Sequence, residues 1–110
     1  MRGLFVLSFV LSVVLAMAVA PALAHSASID AQIEGNVVNV RCLYDGDAPM
    51  RYVRVEVLDI AGRLLTKGKT DADGRFTFQV EGSPFGVKVV AQDLLGHRTE
   101  YTLTPDDVTK

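Results

Sequence analysis

From residue 29 to residue 103 the chain places apolar side chains at alternate positions and breaks the alternation with turn residues about every ten positions. Ile29, Ala31 and Ile33 alternate with Asp30, Gln32 and Glu34 before Gly35-Asn36 turns the chain. Val38, Val40, Cys42 and Tyr44 follow, and Asp45-Gly46-Asp47-Ala48-Pro49 ends their run. Val53, Val55 and Val57, a weaker stretch from Leu64 to Thr70, and Phe76, Phe78 and Val80 repeat the pattern. Val87, Val89 and Ala91, then Thr99, Tyr101 and Leu103, complete it. A period of two sends successive side chains to opposite faces, which is the geometry of a half-buried strand, and no stretch shows the 3.6-residue period of a helix. Connections this short join antiparallel strands. The pattern predicts an all-β, seven-stranded antiparallel β-sandwich.

Ahead of the strands lies a segment of another kind. Met1-Arg2 opens it, an apolar run from Leu4 to Val19 follows, and Pro21 and Ala22-Leu23-Ala24 close it. A basic start, an apolar middle and small residues before a cut make a secretory signal. The run is short for a membrane span, which needs about 20 residues. The expected division is a signal peptide over 1–24, a β-sandwich domain over 25–104 and a flexible C-terminal tail over 105–110. Left uncut, the first segment would be an anchor. Removed, it leaves an extracytoplasmic protein, periplasmic or secreted, that begins at His25 and has no membrane span.

The formal net charge is −2, and Arg2 is the only charged residue of the first 24, so cleavage makes the chain more acidic. That balance gives no basis for binding nucleic acid or an anionic membrane. The single cysteine, Cys42, has no partner for an internal disulfide. An exported domain this small then depends on its core alone.

Counting chain reversals assigns each loop to one end of the sandwich. The start of the mature chain, the turns at 45–50, 71–74 and 93–96, and the start of the last strand share one end. This gathers His25, Asp45, Asp47, Asp71, Asp73, Asp93 and His97, while Glu34, Asp59, Arg63 and Glu81 fall at the other. Aspartate is favoured in turns for backbone reasons, so the asymmetry alone is moderate. If the first and last strands also pair in parallel, as in many immunoglobulin-like sandwiches, His25 and His97 come within ligand reach.

His25, freed by cleavage, would offer an α-amine and an imidazole to one metal, and nitrogen ligands suit nickel, cobalt, copper and zinc. The plainer reading is a histidine that cleavage leaves on a flexible end. His97 opens the last strand, where a lone histidine is ordinarily a surface or turn residue. Asp71-Ala72-Asp73-Gly74 begins like a calcium loop, but the twelfth position is Gly82 where such a loop needs glutamate. It reads as a hairpin turn with Gly74 at positive φ. Cys42 falls in register with Val38 and Val40, hence inward and inert. No serine or cysteine has a base in a recognisable arrangement, so the chain is not read as an enzyme.

Asp45-Gly46-Asp47-Ala48-Pro49-Met50, the alternation of Val53, Val55 and Val57, and Thr70 to Phe78 resemble the carboxypeptidase regulatory-like (transthyretin-like) domain. That resemblance covers most of the chain after the signal and implies an immunoglobulin-like or prealbumin-like sandwich. An Ala-His mature start, an acidic first strand and the closing Asp93-Leu94-Leu95-Gly96-His97-Arg98 resemble small extracytoplasmic proteins associated with nickel and cobalt transporters of the energy-coupling-factor type. Those proteins close on Asp-Gly-Met-Gly-His-Arg, from which the two middle residues here depart. The resemblance implies an exported accessory domain that binds or hands over Ni2+ or Co2+ for uptake, with membrane metal-transporter subunits as partners. His25 would be the main ligand, with His97 and Asp93 completing the set. The alternative is a non-catalytic structural or protein-interaction β-sandwich module at the cell surface.

Overall fold

The computed structural model describes residues 27–109; the segment 1–24, expected to be a signal peptide, and His25 lie outside the described residues. Seven strands follow one another: β1 (Ala27–Glu34), β2 (Val37–Tyr44), β3 (Arg54–Leu58), β4 (Leu64–Lys69), β5 (Arg75–Gln79), β6 (Lys88–Gln92) and β7 (Arg98–Thr102). They form two antiparallel sheets in a sandwich-like arrangement, one ordered β1-β2-β5 and the other β4-β3-β6-β7. Among the described residues no helix is long and apolar enough to cross a membrane.

The inward registers meet in one core. Ile29, Ile33, Val38, Val40, Cys42 and Phe78 of the first sheet pack against Val55, Val57, Val89 and Ala91 of the second, with Val80, Val87 and Leu103 closing the ends. Strand β4 adds little, since Leu64 and Leu65 stay about half exposed. Its contact with the other sheet runs through Gly68, where a Cβ would come within 2.5 Å of Cε1 of Phe76. The missing side chain lets the Phe76 ring cover a strand too polar to bury itself.

Between β2 and β3 the chain leaves one sheet for the other, and residues 45–53 make this corner. Tyr44 N–H donates to the Ala48 carbonyl (2.7 Å), and Met50 N–H returns to the Cys42 carbonyl (2.9 Å). Cys42 N–H in turn donates to the carbonyl of Gly74 (2.8 Å). Gly74 sits at φ +78°, and a Cβ there would lie 2.5 Å from the Cys42 carbonyl oxygen, so the expected positive φ has a packing reason as well. Met50, on the segment read from sequence as a strand break, is fully buried. Beside it Tyr52 adopts φ +54°, a left-handed backbone that costs an aromatic residue on the order of 1–3 kcal/mol.

The buried Thr70 holds this corner. Its hydroxyl donates to the Met50 carbonyl (2.6 Å) and accepts from Val53 N–H (2.9 Å), and Thr70 N–H reaches the Val53 carbonyl (2.9 Å). A corner that crosses between sheets leaves both ladders, so its buried polar groups need a side chain to satisfy them.

The segment after Leu103, whose polarity leads one to expect a frayed end, is tied down. Pro105–Asp107 forms a 3-10 turn with a capping box between Thr104 and Asp107. Tyr101 of β7 donates its hydroxyl to Asp107 (2.7 Å), and Thr109 N–H donates to the Ile33 carbonyl of β1 (2.9 Å). Val108 bridges Ile33 in parallel. The tail thus joins an edge strand of one sheet to an edge strand of the other, using contacts that no local composition reveals.

Replacing Thr70 by valine keeps the volume but strands the Met50 carbonyl and the Val53 amide in the core. Chemical denaturation of Thr70→Val should show a loss of about 2–4 kcal/mol, whereas Thr70→Ser, which keeps the hydroxyl, should lose well under half of that.

Candidate functional site

Three turns share one sequence pattern, aspartate, two residues, glycine and then a basic residue: Asp59 to Arg63, Asp71 to Arg75, and Asp93 to His97. Their backbones agree as well. In each, the aspartate N–H donates to the carbonyl of the basic residue, at 2.8, 2.9 and 3.0 Å, and the glycine takes positive φ. In each, the aspartate Oδ1 accepts two backbone N–H groups, from the residues two and four positions on. The aspartate is the fastener of the turn. This explains why Asp59 and Asp71 are held below the usual carboxylate range, chiefly by the backbone N–H groups of Arg63 and Arg75 respectively. The loop at Asp71 spends its carboxylate on the backbone and has the expected Gly74 at positive φ, but it is not the hairpin read from sequence, because it carries the chain from β4 of one sheet to β5 of the other.

The third turn does more. Asp93 Oδ2 accepts the Tyr44 hydroxyl of β2 at 2.7 Å and meets Nδ1 of His97 at 2.8 Å. Its side chain is only 10% exposed, against 39% for His97. Burial pushes the Asp93 carboxyl up, but hydrogen bonds from Tyr44, the His97 backbone, the His97 ring and Leu95 outweigh it and bring the group down to about 2. The same burial, with the Asp93 contact, raises the Tyr44 hydroxyl to about 12. Tyr44 therefore stays a donor and Asp93 an ionised acceptor across the physiological range. The ring of Tyr44 also meets that of His97 edge-on, with centroids 5.7 Å apart.

The chemistry follows from these protonation states. An ionised Asp93 can only accept, so Nδ1 of His97 is the protonated nitrogen and Nε2 of the neutral ring carries the lone pair. With four donors on its two oxygens, Asp93 has no free site for a metal. The residues read from sequence as ligands thus divide: His97 presents a lone pair, and Asp93 orients it.

The turns at 45–50, 71–74 and 93–96 meet at one pole, through the contacts of Cys42 with Gly74, Tyr52 with Asp71 and Tyr44 with Asp93. Strand β1 starts there too, since Ala27 pairs with Tyr44. The parallel pairing of first and last strands does not occur. Among the described residues β1 is hydrogen-bonded to no strand but β2; β7, the edge strand of the other sheet, lies beside β1 without pairing to it, and the parallel contact to β1 comes from Val108. Arg98, beside His97, pairs with Glu100 of its own strand rather than with a turn aspartate. Among the described residues no group of three or more His, Cys, Asp and Glu side chains converges in a way that could hold a metal ion. Cys42 is buried, and burial pushes its thiol up to about 11, so it remains protonated.

Tyr44 is the member of the Asp93–His97 cluster that sequence reasoning missed. It reads as the last inward position of its strand, and only the folding of the 93–96 hairpin over the strand end brings Asp93 to its hydroxyl. Comparison with protein-family models finds no family that matches the chain, and comparison with curated proteins finds no match.

Because Asp93 is depressed in the folded chain, its stabilisation is present above the unfolded carboxyl value of 3.8 and is lost as pH falls toward about 2. Melting temperatures of the wild type and Asp93→Asn should differ most at pH 5–6 and converge as pH approaches 2. Tyr44→Phe, which removes one donor, should move the acid transition of the wild type to higher pH.

Proposed function

We propose that the chain is an exported, non-catalytic accessory protein that binds or hands over a divalent transition metal, Ni2+ or Co2+, on the path into a membrane transporter. Its sandwich would be of the immunoglobulin-like or prealbumin-like kind that the carboxypeptidase regulatory-like resemblance implies. The observation that carries the reading is the Tyr44–Asp93–His97 chain. A carboxylate that fixes the tautomer of an imidazole and leaves its other nitrogen free is the outer-shell arrangement of metal-binding histidines. His25 is the natural second contributor. It precedes Ala27 by two residues, a reach of roughly 7 Å, and Ala27 belongs to the pole that bears His97. A chain cut before His25 would add an α-amine and a second imidazole, so the donor set is nitrogen-rich, which suits nickel and cobalt better than calcium or magnesium. Asp93 serves in this reading as the group that positions His97.

A second reading, a structural or protein-interaction module at the cell surface, is favoured by a separate observation. Leu94 and Leu95 at the tip of the β6–β7 hairpin are 101% and 84% exposed, and Tyr52 nearby is 64% exposed. Apolar side chains presented this openly by a small domain commonly mark contact surfaces.

Calorimetric titration of the mature protein with nickel should give one site whose affinity falls as pH drops from 8 toward 5.5, since protons compete for imidazole and α-amine, with reference values of about 6.5 and about 7.7–8.0. His97→Ala should lose binding, and Asp93→Asn should weaken it by about 10–100-fold while leaving the ligand itself in place. An isotherm unchanged after one alanine is inserted ahead of His25 would remove His25 from the site. Melting that does not respond to metal would favour the interaction module.

A further inference from the structure

A cleft of about 450 Å³ opens between the β6–β7 hairpin tip and the corner ahead of β3, within the roughly 300–1,000 Å³ of common ligand sites. Arg51, Tyr52, Arg54 and Lys69 line one side, and Leu94 and Leu95 the other. Arg54 and Lys69 are direct cross-strand partners on β3 and β4, and the neighbour of Arg54 on β6 is the uncharged Gln92. Like charges set directly opposite one another destabilise a sheet. One row further along the same strands Lys67 faces Glu56, and in the other sheet Arg41, which also faces a like charge in Arg75, has Asp30 on its other side. Among the described residues Arg51, Arg54 and Lys69 enter no ion pair. Asp93, the one acid in the lining, has both oxygens already hydrogen-bonded.

Tyr52 adds a second, independent sign. Its left-handed backbone is held between Met50 and Val53, both pinned by the buried Thr70, and the result of that strain is an exposed ring at the cleft wall. A like-charge pair and a strained aromatic both work against folding, and both face the same space. Tyrosine and arginine are also the residues that dominate binding energy at protein interfaces.

We infer that this cleft docks an extended acidic segment of a partner protein, its carboxylates against Arg51, Arg54 and Lys69 and an apolar side chain between Tyr52 and the Leu94-Leu95 tip. The inference is independent of metal binding. A flat anionic bilayer is the poorer occupant. The chain is net negative, and Asp45, Asp47, Asp71 and Asp73 share the pole and would repel a continuous anionic surface. A segment lying in the cleft meets chiefly the local cations, because charges farther off than about 8 Å are screened.

The probe is a capped octapeptide of alternating glutamate and leucine, titrated into 15N-labelled protein and followed by amide shifts. Shifts confined to residues 51–54, 69 and 92–95 are expected, with binding weakened about tenfold or more by Arg54→Glu and by raising salt from about 50 to about 500 mM. Arg54→Glu should at the same time raise the melting temperature, since it sets an acid opposite Lys69, and a residue kept only for folding would not lose binding while gaining stability. The inference is overturned if shifts are absent or spread over the whole surface, or if Arg54→Glu binds as the wild type does. Equal binding of a lysine-for-glutamate peptide, or binding to phosphatidylglycerol vesicles in place of the peptide, overturns it as well.

Discussion

The hydroxyl of Thr70 is the contact on which the pole of the 45–50, 71–74 and 93–96 turns depends. It is one donor and one acceptor placed where the chain leaves the first sheet and has not yet joined the second. Without it the corner would bury two unmatched backbone groups just ahead of β3, whose Val55 and Val57 point inward. The same hydroxyl sets the backbone on both sides of Tyr52, so a core contact determines which side chain stands at the surface. The neighbouring approach of Gly74 to Cys42 brings the 71–74 turn against the same corner. The pole is therefore built around one buried polar contact with an apolar shell about it.

The three aspartate–glycine turns show how a structural device becomes a chemical one. At Asp59 and Asp71 the carboxylate closes its own turn and carries a following arginine. At Asp93 the same closure leaves Oδ2 facing a tyrosine from the opposite sheet and a histidine from its own turn. Nothing in the backbone distinguishes the third turn from the others. Two substitutions of context do so: histidine in place of arginine, and Tyr44 at the end of β2. The outcome is an imidazole whose orientation and tautomer are fixed by a carboxylate that is itself locked in place.

Most of the fold was legible because the signals were local. Alternation from Ile29 to Leu103 located seven strands, and turn residues counted their reversals, which was enough to put Asp93 and His97 on one pole. What stayed hidden arises between segments distant in sequence. Met50 lies in a run of turn residues, and its burial depends on Thr70, twenty positions on. The hydrogen bond between Tyr44 and Asp93 spans 49 residues and two sheets. The tail is polar apart from Pro105 and Val108, and its anchoring uses one tyrosine hydroxyl and one strand carbonyl, neither of which changes the local pattern. The opposition of Arg54 and Lys69 follows from the register of β3 and β4, and a bulge at Val57/Leu58 puts that register beyond a simple count from the turn.

The two ends of the described chain leave from opposite poles. Strand β1 starts beside Tyr44, whereas the last residues lie along Ile33, near where β1 finishes. A tether joined ahead of Ala27 would press the histidine-bearing face toward whatever holds it. One joined after Thr109 would aim that face into open solvent, about the length of a strand away. Display on a bead, a fusion carrier or a cell envelope thus has a built-in polarity, and the choice of terminus decides whether the loops are shielded or offered.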